Sequence, residues 1–163
     1  MRLSSFLILS SAQVPAIREP PGLSRQDGKR PDGLTLLPWS QGRSLVWDFT
    51  CSDTLASSHI AQTSQEAGSS ATQAEKKKLS HYADLATSGY TIMPVACETL
   101  GSWAQMGMKF IQEIGSRIAD SIGEKRSTSY LFLSIGIAIQ RGNAASIAGT
   151  VPSSKQLDEL YYL

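Results

Sequence analysis

Hydrophobic and polar positions divide the first half of the chain into strand-like and helix-like stretches. Residues 34–39 and 44–51 are rich in leucine, β-branched and aromatic residues, and the polar Ser40-Gln41-Gly42-Arg43 between them suits a hairpin loop. These stretches therefore predict two antiparallel strands. Residues 90–98 predict a further strand, which is broken at Gly101.

Helical periodicity appears in three longer stretches. From residue 57 to about residue 87, small or apolar residues recur every three or four positions, and Ser57 or Ser58 is the predicted cap. Residues 105–122 predict an amphipathic helix ended by Gly123, and residues 127–145 predict another that is largely apolar through Ile139. A shorter helix is expected to run to about residue 11, and residues 15–32, which are rich in proline and glycine, should be mostly irregular.

Length and composition narrow the class of protein. A chain of 163 residues fits one domain with a sizeable core. Its net charge is +1, but basic residues outnumber acidic ones in the first 43 positions, which favours contact with a polyanion. Cys51 and Cys97 lie in separate apolar stretches with no Cys-x-x-Cys pair, so we interpret them as reduced core thiols, neither zinc ligands nor a disulfide.

Neither apolar run predicts a membrane or secretory segment. The run at residues 3–9 is short and interrupted by Ser4 and Ser5, unlike a secretory signal. The run at residues 130–139 falls well below the roughly 20 residues that span a bilayer. We therefore expect an intracellular protein, nuclear or cytoplasmic, without a membrane segment.

Two acids are the first candidates for chemistry. Asp32 opens the first predicted strand, within Lys29-Arg30-Pro31-Asp32-Gly33, and Asp48 lies late in the second. These two ends lie side by side in an antiparallel pair, and two carboxylates on one face can hold a hard metal ion against a phosphate. Local chemistry alone favours another interpretation of Pro31-Asp32-Gly33, a simple turn, while Asp48 needs a partner because its neighbours are apolar.

Lys78 and Tyr82 are the next candidates. Both lie on the apolar stripe of the helix predicted over residues 57–87, so their side chains should point toward the sheet that carries the acids. Composition alone favours a solvated helix face for the Lys76-Lys77-Lys78 run. His59 and His81 are isolated and read as ordinary surface or helix residues.

The spacing of these residues resembles a known family. Arg30-Pro31-Asp32, Asp48 and Ala74-Glu75-x-x-Lys78-x-x-x-Tyr82 resemble the restriction-enzyme-like endonuclease domain of some non-LTR retrotransposons, which belongs to the PD-(D/E)XK superfamily. Residues 14–150 also resemble C-terminal segments of retroelement-derived open reading frames in animal genomes. The resemblance implies an α/β fold, a restriction-endonuclease-like three-layer sandwich with a small mixed sheet flanked by helices and additional C-terminal helices.

The resemblance also implies a role for each matching residue. Asp32 and Asp48 would be the ligands of Mg²⁺ or Mn²⁺, and Lys78 would stabilise the charge that grows on the phosphate. Tyr82 would orient the water or a phosphate oxygen. Thr50 stands where the usual D/E-x-K triplet has its lysine, and His81 stands where this branch often has another. Glu19 or Glu98 would be an accessory acid, and their spacing does not choose between them. Weaker nucleic-acid contacts are expected at Lys29, Arg30, Arg43 and Arg141.

Two classes of function remain open at this point. One is an endonuclease that nicks DNA, with DNA and RNA–DNA intermediates as partners and a reverse transcriptase in the parent element. The other is an inactive or domesticated remnant that binds nucleic acid or protein; no reverse transcriptase or zinc knuckle is recognisable in these 163 residues, which favours this class. We expect one domain over residues 1–150, with a core at about 14–122, a helical extension at 127–149 and a polar tail at 151–163.

Overall fold

In the part of the chain that the structure describes, four strands form one mixed sheet in the order β1-β2-β3-β4. The computed structural model describes residues 9, 12–23 and 30–150. Strands β1 (Ala16–Arg18), β2 (Gly33–Thr35) and β3 (Leu45–Ser52) pair antiparallel, and β4 (Thr91–Glu98) runs parallel to β3. The protein is therefore mixed α/β, as predicted, and the parallel pair requires the helical crossover that lies between β3 and β4.

The predicted hairpin is present, although its first strand is shorter than expected. At its tip, Gln41 and Gly42 both have positive φ, 50° and 72°, and this mirror-image turn matches the twist of a hairpin. Strand β2 ends at Thr35 instead of residue 39. Thr35 Oγ1 accepts a hydrogen bond from the Leu45 amide and donates one to the Leu37 carbonyl, and Pro38 has no N–H to continue the ladder.

Strand β1 was missed in the sequence, where residues 15–32 were expected to be mostly irregular. It has only three residues, and each pairs with β2 in the register Ala16 to Thr35, Ile17 to Leu34 and Arg18 to Gly33. A three-residue edge strand carries too little periodicity to be recognised locally. The N-terminal helix predicted to about residue 11 and the tail from residue 151 lie outside the described residues, apart from Leu9.

The single helix predicted over residues 57–87 is wrong, because three helices occupy that stretch. They are α1 (Ile60–Thr63), α2 (Ser69–His81) and α3 (Ala83–Thr87). Gly68 separates α1 from α2 with φ of 83°, a left-handed conformation that glycine adopts without steric cost. The predicted serine cap is also wrong: His59 precedes α1, and its side chain makes no capping hydrogen bond.

The two C-terminal helices are close to their predicted bounds. Helix α4 (Gln105–Ile122) ends at Gly123, whose φ of 77° gives the expected left-handed C-cap. Helix α5 (Ser127–Thr150) extends beyond the predicted residue 145. Within the described residues, α5 is the helix that is long and apolar enough to cross a membrane by length and composition, and little of it is buried.

Strand alternation sends β3 and β4 side chains to two different layers. One face, with Leu45, Trp47 and Val95, packs on α4 and α5 through a large apolar core whose helical members include Phe110, Ile111, Ile114, Ile118, Leu131, Ile135 and Ile139. The opposite face lies under α2, where the apolar contacts are small and come from Ala71, Ala74, Ala96 and Ala104. The sheet is thus covered by helices on both faces.

Candidate functional site

Asp48 is the polar residue at the centre of the face that α2 covers. Its side chain is buried, and the residue is 6% exposed. Its Oδ2 accepts a hydrogen bond from Lys78 Nζ at 2.8 Å and another, short one from the Tyr82 hydroxyl. One carboxylate oxygen therefore accepts hydrogen bonds from both an ammonium group and a phenol.

The chain order explains how two donors reach the same oxygen. Lys78 lies in the last turn of α2, and Tyr82 is the residue that follows the helix, four positions later. Side chains four positions apart lie on one helix face, and α2 presents that face to β3. Lys78 keeps 31% of its side chain exposed, so its ammonium group lies between Asp48 and solvent.

Tyr82 has a different environment from the one its expected role requires. The residue is 1% exposed, its hydroxyl bonds to Asp48, and the His81 ring packs edge-on against its ring at 4.7 Å between centroids. Orienting a water molecule or a phosphate oxygen needs a hydroxyl that reaches solvent. In this structure Tyr82 instead fixes the position of the Asp48 carboxylate.

Asp32 lies beside Asp48 at the end of the neighbouring strand. Gly33 pairs with Trp47, so Asp32 and Asp48 occupy the next opposed positions past the ladder, where side chains share a face. Asp32 is 7% exposed, and its Oδ2 accepts a hydrogen bond from the Phe49 amide at 2.8 Å. The two carboxylates are thus held at adjacent positions of β2 and β3.

Gly33 is what permits this close pairing. A Cβ atom at position 33 would overlap the six-membered ring of Trp47, so no other residue fits without displacing the indole. Gly33 is the first residue of β2, paired with Trp47. Asp32 lies in a bend directly before β2, and Gly33 is needed for packing within the strand pair.

The donor chemistry of this pair fits a hard divalent cation. Mg²⁺ binds through one or two carboxylates and keeps several water ligands, so Asp32 and Asp48 suffice as its protein ligands. Among the described residues, no hydrogen bond reaches Asp48 Oδ1, which leaves that oxygen available. No group of three or more His, Cys, Asp or Glu side chains across residues 9, 12–23 and 30–150 is placed to hold a metal.

Among the described residues, neither candidate accessory acid forms a three-acid group with Asp32 and Asp48. Glu19 lies next to Asp32 through its backbone, donating its amide N–H to the Asp32 carbonyl at 3.0 Å, and its carboxylate approaches Arg18 at 3.9 Å. Glu98 is at the far end of β4, four residues past Pro94, the partner of Asp48. That separation is about 13 Å along the strand.

Glu98 and Glu75 hold the starts of two helices, which sequence reasoning missed. Glu98 Oε1 accepts hydrogen bonds from the Ser70 amide and hydroxyl at 3.0 and 2.9 Å, in the first turn of α2. Glu75 accepts hydrogen bonds from the Met106 and Gly107 amides at the start of α4. Burial raises the pKa of Glu75, opposed by these amide hydrogen bonds. A carboxylate can accept hydrogen bonds from the free amides at a helix N-terminus. Here each acid comes from a different element than the helix it caps, so no local sequence motif predicts the contact.

The remaining predicted residues are spread over the molecule. Thr50 is two positions past Asp48 on the same face of β3, and Arg30 is exposed two positions before Asp32. Arg43 lies at the hairpin tip, five residues or about 16 Å along the strand from Asp48. Arg141 lies on α5, which packs on the opposite face of the sheet. Lys29 lies outside the described residues.

Comparison with known proteins found no relative of this chain. No protein-family model matches the chain, and no curated protein matches it. The functional interpretation therefore depends on the arrangement of Asp32, Asp48, Lys78 and Tyr82.

Proposed function

We propose that this protein is a magnesium-dependent endonuclease that nicks DNA by phosphodiester hydrolysis. The observation that carries the proposal is the convergence of Lys78 and Tyr82 on one oxygen of a buried Asp48. A carboxylate, a second carboxylate on the next strand and a partly exposed ammonium group are the groups needed to bind a cation and a phosphate together.

Each residue has a distinct part in this proposal. Asp32 and Asp48 would hold the metal, which when bound supplies a water of lowered pKa and polarises the phosphate. Lys78 stabilises the negative charge that develops on the phosphate oxygens, because its ammonium group is partly exposed beside Asp48. Tyr82 is a positioning residue: its buried hydroxyl fixes the rotamer of Asp48.

The substrate and origin follow from the same proposal. The mixed sheet with helices on both faces supports a restriction-endonuclease-like fold of the type found in non-LTR retrotransposons. Its substrate would be DNA, including RNA–DNA intermediates, and its parent element would supply a reverse transcriptase. Such a protein would act inside the cell, in the nucleus or cytoplasm.

Plasmid nicking tests the proposal. The natural chain, incubated with supercoiled plasmid and Mg²⁺ or Mn²⁺, is expected to produce open circles. Asp48→Asn should reduce the nicking rate by at least about 100-fold, since it removes a metal-binding charge. Asp53→Asn is the matched control on an exposed acid just past β3 and should nick at the natural rate. No nicking by the natural chain, or equal nicking by Asp48→Asn, would contradict the proposal.

A second candidate function is a non-catalytic module that binds nucleic acid. It is favoured by the hydrogen bonds that Lys78 and Tyr82 already donate to Asp48 Oδ2, because they satisfy the buried Asp48 carboxylate without a metal. Such a module would retard DNA in a gel equally with Mg²⁺ or with EDTA and would leave plasmid intact. An endonuclease would show both metal-dependent nicking and loss of that activity in Asp48→Asn.

A further inference from the structure

Two cysteines distant in sequence are direct neighbours in the sheet. Cys51 on β3 and Cys97 on β4 are register partners in the parallel pair. Neighbouring strands lie about 4.8 Å apart, which is within the range of Cα separations that a disulfide spans. Register partners point to the same face, so the two thiols lie side by side above the apolar core.

The two thiols differ in exposure and in acidity. Cys97 is fully buried, whereas Cys51 is half-buried and keeps some accessible surface. A hydrogen bond from the Cys97 thiol to the Cys51 sulfur lowers the pKa of Cys51 and raises the pKa of Cys97. Because the thiolate is the nucleophile, Cys51 should react first.

We propose that Cys51 and Cys97 form a reversible intrachain disulfide when the protein meets a small disulfide oxidant such as oxidised glutathione. The Cys51 thiolate attacks one glutathione sulfur, which breaks that S–S bond, forms a mixed disulfide and releases one glutathione thiolate. Cys97, after giving up its proton, attacks the Cys51 sulfur and expels the second glutathione. Two protein thiols are oxidised, one glutathione disulfide is reduced, and the two thiol protons end on the two glutathione molecules.

Partial exposure of Cys51 favours a bond that is easily broken again. Cys51 is half-buried, so a reducing thiol can still reach its sulfur after the bond forms. Exposed disulfides are reduced more readily than buried structural ones and behave as regulatory bonds. The expected result is a redox-sensitive link between the strand that carries Asp48 and its parallel neighbour.

Intact-mass measurement of the full natural chain tests this inference without any measure of nuclease activity. With oxidised glutathione, the monomer should lose about 2 Da, which is two hydrogens, and peptide mapping should join Cys51 to Cys97. Excess reduced glutathione should restore the original mass. Cys97→Ala should stop at the first step and gain one glutathione at Cys51, whereas Cys51→Ala should stay unmodified because its remaining thiol is buried.

Several outcomes would overturn the inference. These are a natural chain whose mass does not change, a stable glutathione adduct in place of the internal bond, a disulfide-linked dimer, or equal reaction of the two variants. Far-ultraviolet circular dichroism establishes that each variant is folded. If an alanine variant does not fold, Cys51→Ser and Cys97→Ser provide the same comparison with a side chain closer in size.

Discussion

The two faces of the sheet use the same strands for different purposes. Toward α4 and α5, β3 and β4 present large apolar side chains, and the core on that side is continuous. Toward α2 the apolar contacts are alanines, and the buried residues include Asp48, Glu75 and Glu98. Burial on one face therefore provides hydrophobic stabilisation, whereas burial on the other holds carboxylates at defined positions.

Three of the buried carboxylates on the α2 face, those of Asp48, Glu75 and Glu98, differ in what satisfies them. Glu75 and Glu98 accept hydrogen bonds from backbone amides at helix starts, supplemented in one case by a serine hydroxyl. Asp48 instead accepts from two side chains, one of them charged and partly exposed. Backbone amides fix a helix in place, but a side-chain cation beside solvent can also meet a ligand. This contrast separates Asp48, a proposed metal ligand, from the two structural glutamates.

Removing the positive charge of Lys78 from the α2 face should give the largest effect, which is a loss of nicking. Lys78→Met is expected to lower the nicking rate by about 100- to 1,000-fold, because it removes a positive group from the developing charge on the phosphate. Lys76→Met is the matched control, since Lys76 is exposed on the same helix. Single-turnover nicking, normalised to the folded fraction, measures both. Equal rates for the two variants would remove Lys78 from the proposed site.

Truncating a side chain in the apolar core under α4 and α5 should reduce stability and leave the nicking rate unchanged. Ile114 is fully buried on α4, so Ile114→Ala is expected to lower the free energy of unfolding by about 2–5 kcal/mol. Ile122→Ala, at the exposed end of the same helix, should change it little. Urea unfolding gives the stability, and nicking per folded molecule should match the natural chain. A large loss of nicking in folded Ile114→Ala would mean that the two faces are not separable.

Gly33 joins the two faces, because it lies beside Asp32 while Trp47 packs against it from the apolar side. Gly33→Ala should destabilise the protein by about 1–3 kcal/mol, since the added methyl group must displace the indole. Gly136→Ala on α5 meets open space and should stabilise by about 0.5–1 kcal/mol through better helix propensity. Thermal or urea unfolding of both variants checks the opposite signs. Equal effects would show that the Trp47 contact does not constrain position 33.

The smallest effect concerns the pH dependence of Glu75. Burial raises its pKa above the ordinary 4.5, so the folded state holds this proton more tightly than the unfolded chain does. Its contribution to stability is therefore fully present below pH 4.5 and is lost as pH rises through the raised pKa. Urea midpoints from pH 4 to pH 8 should show the natural chain losing stability relative to Glu75→Gln as pH rises. A difference that is constant with pH would contradict this.

Local patterns predicted the elements that depend on local chemistry. Gly123 ends α4 and Gln41-Gly42 forms the hairpin tip because those conformations need glycine or a tolerant residue at a fixed position. The shared helix face of Lys78 and Tyr82 was also predictable, since residues four apart lie on one face of a helix. By contrast, Gly68 lies inside the stretch predicted as one helix, and its left-handed backbone divides α1 from α2.

Periodicity and turn chemistry act over a few residues, so the chain's local patterns were enough to predict the hairpin, the helix α4 and the candidate positions Asp32, Asp48, Lys78 and Tyr82. The partner that each buried group found depended instead on contacts between distant parts of the chain. Glu75 meets amides 31 and 32 positions away, Glu98 meets Ser70 at 28, and Cys51 meets Cys97 across parallel strands. These pairings depend on how strands and helices pack, and no local pattern encodes that packing.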